Sequence, residues 1–476
     1  MKKEDLFESL KDIREEDVKK ARQYKAKKKP VWIRWGTLAA CMVITITAFL
    51  GSPLFRNGNT DTSPGLTVYE AVYPKPTASN MSAQKFMDSD AHWNWLDTYS
   101  QMAERSAELQ NGMNGYYAEL MNRILVSEDK NTICSPLNTY IAFAMLAEVT
   151  DGNTRQQILD MLQVSDIETL RQNIRTIWES NYVDTPILKS LLANSMWLND
   201  VYTYNSKTMK RLAETYYASS FSGNPGSQAM NQALQDWTDK NTGGLLSEHV
   251  QDMNLDSDTV LAIVSTIYYK AMWASAFDEQ MTTQQTFHGT LHDTTVNMMH
   301  MTDSMEIFSN DNFTALGLNL NNSGAMYFYL PNEGVDVNTL ASDPDIIAAT
   351  VFGEGEEWSF NGVNLSVPKF RVSYKTDLLD IIAEMGITDA LNPMLSDFTP
   401  LTEDLDGLYL STAEHAAMVE IDEHGVTGAA YTELAITKEA FRPAGEIDFI
   451  LDRPFMFVIT GRDGSILFSG IVRNIE

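Results

Sequence analysis

The chain has 476 residues, of which 44% are hydrophobic, so it can bury a sizeable core and exceeds the usual size of one compact domain. Its net charge of -29 argues against nucleic acid as a partner, because phosphate backbones attract basic proteins. Only two cysteines occur, Cys41 and Cys134, and Cys41 lies in an apolar run, which excludes an internal disulfide framework. If the chain is exported, as the N-terminal segment described next indicates, the lack of a disulfide framework favours a bacterial source over an animal secreted protein.

The N-terminus carries a charged leader followed by an apolar run. Residues 1–34 are rich in Lys, Arg, Asp and Glu and end in a basic stretch, Lys25–Lys29. The apolar run over residues 35–55 is about 20 residues long, enough to cross a bilayer core of about 30 Å. Basic residues before a span place the N-terminus in the cytoplasm, and Trp32 suits the interface. We therefore predict a single-pass transmembrane anchor in the cell membrane of a Gram-positive bacterium, with the rest of the chain extracellular.

Three alternatives to the anchor stay open at this point. A cleaved signal peptide would have an unusually long charged leader. Lipidation is suggested by Leu38-Ala39-Ala40-Cys41, which resembles a bacterial lipobox, although the strongest apolar stretch follows Cys41. A buried core helix is disfavoured by the basic flank and by the Gly51-Ser52-Pro53 sequence that ends the run.

The remaining elements follow in a simple order. Residues 56–84, rich in Pro, Ser, Thr and Asn, are predicted to form an extracellular tether, and residues 85–476 the globular domain. Helical periodicity predicts helices over 113–126, 136–148, 153–163, 228–240 and 376–385. Apolar or alternating runs predict strands over 189–198, 260–272, 293–300, 324–330, 363–374, 415–422 and 454–472. Helices dominate early and strands late, which indicates an α+β fold.

In the stretch from Glu423 to Phe455, the side chains alternate between two parities as in a strand, but the flanking residues are typical of a loop. One parity is small or apolar throughout: Val426, Gly428, Ala430, Thr432, Leu434 and Ile436. The other parity contains Tyr431 and Glu433 and suits solvent. Glycines precede the alternation, and charged residues, Pro443 and Gly445 follow it, which is typical of an exposed loop. The pattern predicts a loop that can become a strand.

Catalytic and metal motifs are missing from the sequence. It has no Gly-x-Ser-x-Gly elbow, Walker loop, Rossmann glycine fingerprint or His-Glu-x-x-His pair. His288 and His292 have ligand-like spacing, but their surroundings predict a strand or hairpin with surface histidines, and no further ligands accompany them. His415 lies in an apolar run without a local nucleophile, which favours a structural histidine. We predict no enzyme activity, no metal and no cofactor.

From about residue 112 to the C-terminus, the chain resembles the serpins, a family of metastable protease inhibitors. The resemblance rests on several motifs in the same order: Asn131 to Asn138 (NTICSPLN), Val264 to Asp278 (VSTIYYKAMWASAFD), Val367 to Phe370 (VPKF) and Asp452 to Phe455 (DRPF). It implies the serpin fold, an α+β architecture with a large mixed or antiparallel sheet A, two smaller sheets, eight or nine helices and an exposed reactive-centre loop.

The resemblance implies a monomeric suicide-substrate inhibitor of serine proteases. The target protease would cleave the loop, form an acyl-enzyme with it, and be trapped in a covalent complex when the loop inserts into sheet A. A serpin fold that binds without inhibiting, and inhibition of papain-like cysteine proteases, are the alternatives. A bulky charge among Val426, Gly428, Ala430 and Thr432 would disfavour insertion, and none is present.

Three sets of residues match functional positions of the family. The loop hinge comprises Glu423, Gly425, Val426, Thr427, Gly428, Ala429 and Ala430. The breach, at the top of sheet A where insertion begins, comprises Trp273, Lys369 and Glu423. The shutter, below the opening strands, comprises Ser135, Asn138, Ser265 and His415. The usual serine is replaced by Asn138 and the usual asparagine by Ser265, an exchange that preserves one amide and one hydroxyl.

The scissile bond is assigned by the usual register of the family. Seventeen positions counted from Glu423 put the cut between Glu439 and Ala440. A register one residue shorter puts it between Lys438 and Glu439. Glu439 would suit a protease with a basic specificity pocket, whereas Lys438 would suit a trypsin-like pocket. Small residues nearby leave elastase-like and subtilisin-like targets open.

Overall fold

The computed structural model describes residues 38–48, 66–244, 250–343, 346, 359–426 and 447–476. Within them lie nine α-helices: α1 Ala83–Met87, α2 Asp90–Gln110, α3 Asn114–Leu125, α4 Pro136–Glu148, α5 Gly152–Met161, α6 Ile167–Asn181, α7 Ser206–Thr215, α8 Gln228–Asn241 and α9 Leu379–Glu384.

The same residues contain eighteen strands. They are β1 Leu38–Ala48, β2 Leu66–Tyr69, β3 Thr132–Cys134, β4 Val183–Asp184, β5 Leu188–Asn199, β6 Ala218–Gly223, β7 Thr259–Met272, β8 Thr283–His288, β9 Asp293–Ser309, β10 Phe313–Asn319, β11 Ala325–Pro331, β12 Ser359–Pro368, β13 Phe370–Asp377, β14 Leu408–Asp422, β15 Gly425–Val426, β16 Ile447–Ile450, β17 Phe455–Thr460 and β18 Ile466–Val472.

Sheet A is built around the long strands β5, β7 and β14. Its strand order is β1-β14-β15-β7-β5-β6-β2, with β13 paired to β14, β4 to β5, and β1 also to β7. All but the β5–β6 pair are antiparallel. The first nine residues of β7 are buried without alternation, because both faces of this strand are covered.

The second sheet has the order β16-β12-β9-β10-β11-β17-β18-β3, with β8 paired to β9. The resemblance implied two smaller sheets beside sheet A. In the described part of the chain they form one hydrogen-bonded network, because the 17-residue strand β9 pairs with β8 and β12 and also with β10. The predicted α+β class and serpin fold are confirmed.

Helix α4 lies in the core between the two sheets. All its residues are buried, and it contacts β7, β1 and β18. The helix carries one charged side chain, Glu148, which receives hydrogen bonds from Arg171 (2.8 and 2.9 Å), Arg211 (2.8 Å) and Tyr216 (3.0 Å). A buried carboxylate requires such partners, and these link α4 to α6, to α7 and to the residue that follows α7.

The N-terminal boundary of the domain differs from the prediction. Residues 66–84 were assigned to the tether, but β2 pairs with β6 at the edge of sheet A, and Ala71 and Ala83 are buried. The helix α2 that follows was not predicted. Ser106 of α2 donates a 2.6 Å hydrogen bond to Asp463, a buried carboxylate in the turn between β17 and β18. The described domain therefore includes residues from 66 onward.

Residues 38–48 form a strand, whereas a transmembrane helix was predicted over 35–55. Residues 43–47 read Val-Ile-Thr-Ile-Thr, and β-branched side chains favour strands over helices. Among the described residues, no helix is both long and apolar enough to cross a membrane. The anchor, the leader and the extracellular location stay predictions, and residues 1–37 lie outside the described residues.

Candidate functional site

The hinge of the reactive loop begins as a tight hairpin at the end of β14. Residues 423 and 424 form the turn, and Gly425 and Val426 return as β15. The Asp422 carboxylate holds the turn by accepting hydrogen bonds from the backbone N–H groups of His424 (2.8 Å) and Gly425 (3.2 Å). The sequence predicted an exposed loop from Glu423 onward, but its first residues are part of sheet A.

Strand β15 lies between β14 and β7. Val426 is opposite Ile421 on β14 and opposite Ala271 on β7, and its side chain is fully buried. Gly425 is required by the close approach to β7: a Cβ atom there would collide with the carbonyl oxygen of Ala271 and lie 2.9 Å from Cα of Met272. Gly425, which the sequence predicted as part of the hinge, is therefore also required for steric reasons.

In the breach, the carboxylate of Glu423 binds Lys369 and Thr282. Lys369 Nζ donates to Glu423 Oε2 and Thr282 Oγ1 donates to Oε1, each at 2.8 Å. Burial disfavours the ionised carboxylate, but these hydrogen bonds and the positive charge of Lys369 outweigh it and hold the pKa of Glu423 below its usual value. Thr282 was not predicted, since nothing in its sequence context marks it.

Trp273 supports the hairpin from the other side. Its indole Nε1 donates to the backbone oxygen of Asp422 (2.8 Å), and its backbone N–H donates to the oxygen of His424 (3.0 Å). The indole also packs edge to face on Phe277 at a centroid distance of 6.2 Å. Trp273, Lys369 and Glu423 thus lie near the start of β15, where β7 and β14 are already separated by this short strand.

The four shutter residues form two contacts at the N-terminus of α4. His415 Nε2 accepts the backbone N–H of Ser135 at 3.0 Å, which requires an unprotonated Nε2, and Ser135 Oγ donates to the carbonyl of Leu467 at 2.6 Å. Asn138 Nδ2 donates to the carbonyl of Ser265 at 3.0 Å, and Ser265 Oγ donates to Asn138 Oδ1 at 2.5 Å. All four residues are fully buried.

A fifth residue, Met42 of β1, lies between the two halves of the shutter. In the register of sheet A, Met42 is opposite His415 on β14 and opposite Ser265 on β7. Its side chain is fully buried. Sequence analysis missed it because the apolar run around it has the length of a membrane span.

Part of the predicted site lies outside the described residues. This applies to the hinge residues Thr427, Gly428, Ala429 and Ala430 and to both assignments of the scissile bond, with Lys438, Glu439 and Ala440. Their roles stay predictions.

The sequence profile of the family described as "Serpin (serine protease inhibitor)" matches residues 112–475. The chain belongs to the serpin family. Alpha-1-antiproteinase 2 of Equus caballus is 30% identical over 356 residues, covering 73% of this serpin and 82% of the relative.

Solved serpin structures have the same fold. The thermophilic serpin tengpin in its native state aligns with a TM-score of 0.67 and 19% identity, covering 87% of this serpin and all of tengpin. Thyroxine-binding globulin in complex with thyroxine aligns with a TM-score of 0.64 and 25% identity, covering 79% and 99% of the two chains. Many serpins inhibit serine proteases, and some members do not inhibit.

Proposed function

We propose that this serpin is a suicide-substrate inhibitor of serine proteases, acting by cleavage of the reactive loop, trapping of the acyl-enzyme and insertion of the loop into sheet A. The observation that carries the proposal is the position of Gly425 and Val426. These two residues already pair with both strands between which a cleaved loop would insert.

The register of β15 supports the predicted parity of the residues that would enter the sheet. Val426 points into the core, so the residues of the same parity, Gly428, Ala430 and Thr432, would follow it there. None carries a charge, and burial of an unpaired charge would cost several kcal/mol. Tyr431 and Glu433 have the opposite parity, where bulk and charge are tolerated.

The breach supports a controlled start of insertion. The buried Glu423 is held by Lys369 and Thr282, directly before the first inserted residue. Moving this hairpin during insertion would disturb charge-assisted hydrogen bonds, which provide a local barrier to spontaneous insertion. Insertion after cleavage would then be driven by pairing of the loop with β7 and β14.

Variants on the two parities of the loop test the proposal. Full-length protein is mixed with a panel of serine proteases and papain-like cysteine proteases, and SDS-stable complexes and the cleaved bond are identified by mass spectrometry. We expect a stable complex and a rise in melting temperature after loop cleavage. Val426→Arg and Ala430→Arg should be cleaved without complex formation, because a charge on the inserting parity blocks insertion. Tyr431→Arg is the matched control and should still form the complex.

Equal inhibition by the three variants would contradict insertion. Cleavage of the wild-type loop without a complex and without a rise in melting temperature would instead support a non-inhibitory binding module. That second function is suggested by two observations: the fold is shared with thyroxine-binding globulin, which is seen bound to thyroxine, and Gly428 and Tyr431 depart from an alanine-rich hinge.

A further inference from the structure

The space between β7 and β14, which we call the insertion site, is already filled along most of its length. Strand β1 pairs with β14 from Ala39 opposite Met418 to Ala48 opposite Leu408. It pairs with β7 from Leu38 opposite Tyr269 to Thr47 opposite Thr259. The hinge strand β15 occupies only the upper end, opposite residues 271 and 272 of β7.

The register of β1 matches the register in which the loop would enter. Val426 is opposite Ala271 on β7 and Ile421 on β14. Six residues further along the loop, Thr432 would therefore face Ser265 on β7 and His415 on β14. These are the two residues that Met42 faces now. The agreement holds on both neighbouring strands, and both β1 and β15 run antiparallel to them.

The alternation of the two segments matches as well. Met42 is fully buried, and Leu38, Ala40, Ile44 and Ile46 share its parity in the strand. In the loop register these five positions correspond to Thr432, Gly428, Ala430, Leu434 and Ile436, the parity that sequence analysis assigned to the core. Neither set contains a charged residue.

We propose that residues 38–48 are an intramolecular occupant of the insertion site, which must be displaced before the reactive loop can insert. The effect on inhibition rests on the proposed inhibitory function. The occupancy of the insertion site by residues 38–48 does not depend on that function. Insertion into an empty site would gain a full ladder of backbone hydrogen bonds. Insertion into a filled site exchanges one ladder for another, so its driving force falls to the difference between them.

A native cysteine allows the occupancy to be tested directly. Cys41 is opposite Ala416 on β14, and side chains at opposite positions of an antiparallel pair lie on one face, close together. Mild oxidation of full-length Ala416→Cys should therefore join the new thiol to Cys41. The control Ala417→Cys has the opposite parity and should not crosslink to Cys41. Cys134 should not interfere, because burial raises the pKa of its thiol.

Thr266→Cys gives a second, independent pair, since Thr266 is opposite Cys41 on β7. Peptide mapping by mass spectrometry identifies the bond. Absence of the crosslink in both Ala416→Cys and Thr266→Cys, as folded proteins, would overturn the proposal. So would an equal yield in Ala417→Cys.

Competition with the loop is tested on the same protein. Cleavage of the reactive loop before oxidation should abolish the crosslink to Cys41, because the inserted loop takes its place. Oxidation before cleavage should abolish the rise in melting temperature, and reduction should restore it. With a target protease, the oxidised variant should be cleaved as a substrate and the reduced variant should form the stable complex.

If the crosslink yield is unchanged after loop cleavage and the melting temperature still rises fully, residues 38–48 and the reactive loop do not compete for the insertion site. If no variant forms a protease complex in either redox state, the proposed inhibitory function fails. The crosslink and its loss on cleavage would still decide whether residues 38–48 occupy the site.

A pair of substitutions at Met42 provides a test without a crosslink. Met42→Lys places a charge beside buried Ser265 and His415 and should expel the segment, giving more complex per cleaved loop than wild type. Met42→Leu keeps an apolar side chain of similar volume at the same position and should leave the ratio unchanged. Equal ratios in both variants would contradict the proposal.

Discussion

At the scale of single residues, Glu423 connects the fixed sheet to the loop that leaves it. Its carboxylate binds Lys369 and Thr282, while its backbone oxygen accepts the N–H of Phe277 at 3.0 Å. The side chain of Glu423 is 7% exposed and that of Lys369 is 37% exposed. Water can solvate the ammonium group but hardly the carboxylate, so the ionised form of Glu423 depends on this ion pair more than that of Lys369. Removing Lys369 would leave a buried charge without its cationic partner.

We expect Lys369→Met to lower the stability of the native state by about 1–3 kcal/mol at neutral pH, because Glu423 loses its charge-assisted hydrogen bond. The pKa of Glu423 is lowered in the folded protein, so the stability it contributes is present above its unfolded pKa and is lost as the pH falls through the folded pKa. The difference between variant and wild type in thermal unfolding should therefore shrink in acid.

The matched control is Lys375→Met. Lys375 pairs with Glu414 at 3.0 Å, but both side chains are about one-third exposed, so the change should cost only about 0–1 kcal/mol. Equal losses in the two variants, or a Lys369→Met effect that is independent of pH, would contradict the role assigned to the buried carboxylate.

At the scale of elements, the contact between α4 and β7 depends on the pair formed by Asn138 and Ser265. Each residue donates one hydrogen bond to the other, in a region without exposed atoms. The amide and the hydroxyl are exchanged relative to the usual serpin arrangement. Because the exchange preserves the contact, we expect the effects of substitutions at positions 138 and 265 on stability to be coupled.

We expect Asn138→Ser and Ser265→Asn each to lower stability by about 1–3 kcal/mol, the first by removing an amide and the second by crowding two amides together. The double variant Asn138→Ser/Ser265→Asn should recover most of the loss, because one amide and one hydroxyl are present again. Thermal unfolding of the four proteins provides the measurement. Additive losses in the double variant would show that the two departures arose independently.

Several elements were found close to their predicted limits, whereas the amphipathic helices α6 and α7 were not predicted. Predicted limits failed where a local feature interrupts a pattern. The prediction for 136–148 coincides with α4, because Pro136 begins the helix and apolar residues continue through it. The single strand predicted over 363–374 is two strands, β12 and β13, separated at Lys369 after Pro368. Helix α2 was missed because its apolar face is narrow and is completed by contacts with α6.

The sequence predicted some residues of the candidate site and missed others. Lys369 and Glu423 were paired in advance only through family motifs, since residues 54 positions apart carry no local sign of contact. The structure pairs Lys369 with Glu423, Ser135 with His415 and Asn138 with Ser265, and Trp273 binds the residues on either side of Glu423. Thr282, Asp422 and Met42 were found only from their positions in the folded chain. Nothing in composition or spacing selects these three.

At the scale of the whole molecule, the same apolar residues have two alternative places. A helix over 35–55 would span a membrane, whereas the strand Leu38–Ala48 completes sheet A. One segment cannot do both at once. We propose that the anchored form, if residues 35–55 are in the bilayer, has a vacant insertion site, with the serpin domain outside the cell.

We expect Ile44→Lys combined with Ile46→Lys to abolish membrane retention, because each lysine near the centre of a span costs about 2.5–3.5 kcal/mol. The measurement is carbonate extraction of membranes from bacteria that express the full chain. Val68→Lys, at an exposed position outside the apolar run, is the control and should remain in the membrane pellet. Release of the wild-type protein by carbonate would contradict the anchor.

The sequence by itself determined the α+β class and the serpin fold, because these depend on local alternation and on motifs contiguous in the chain, and it predicts the parity of the reactive loop. The tertiary structure decided which partners meet. It joined Glu423 to Thr282, brought residues 66–84 into the domain and put Met42 between His415 and Ser265. An apolar, β-branched segment is compatible with a membrane or a sheet, and only the register of the neighbouring strands shows that sheet A has a place for it.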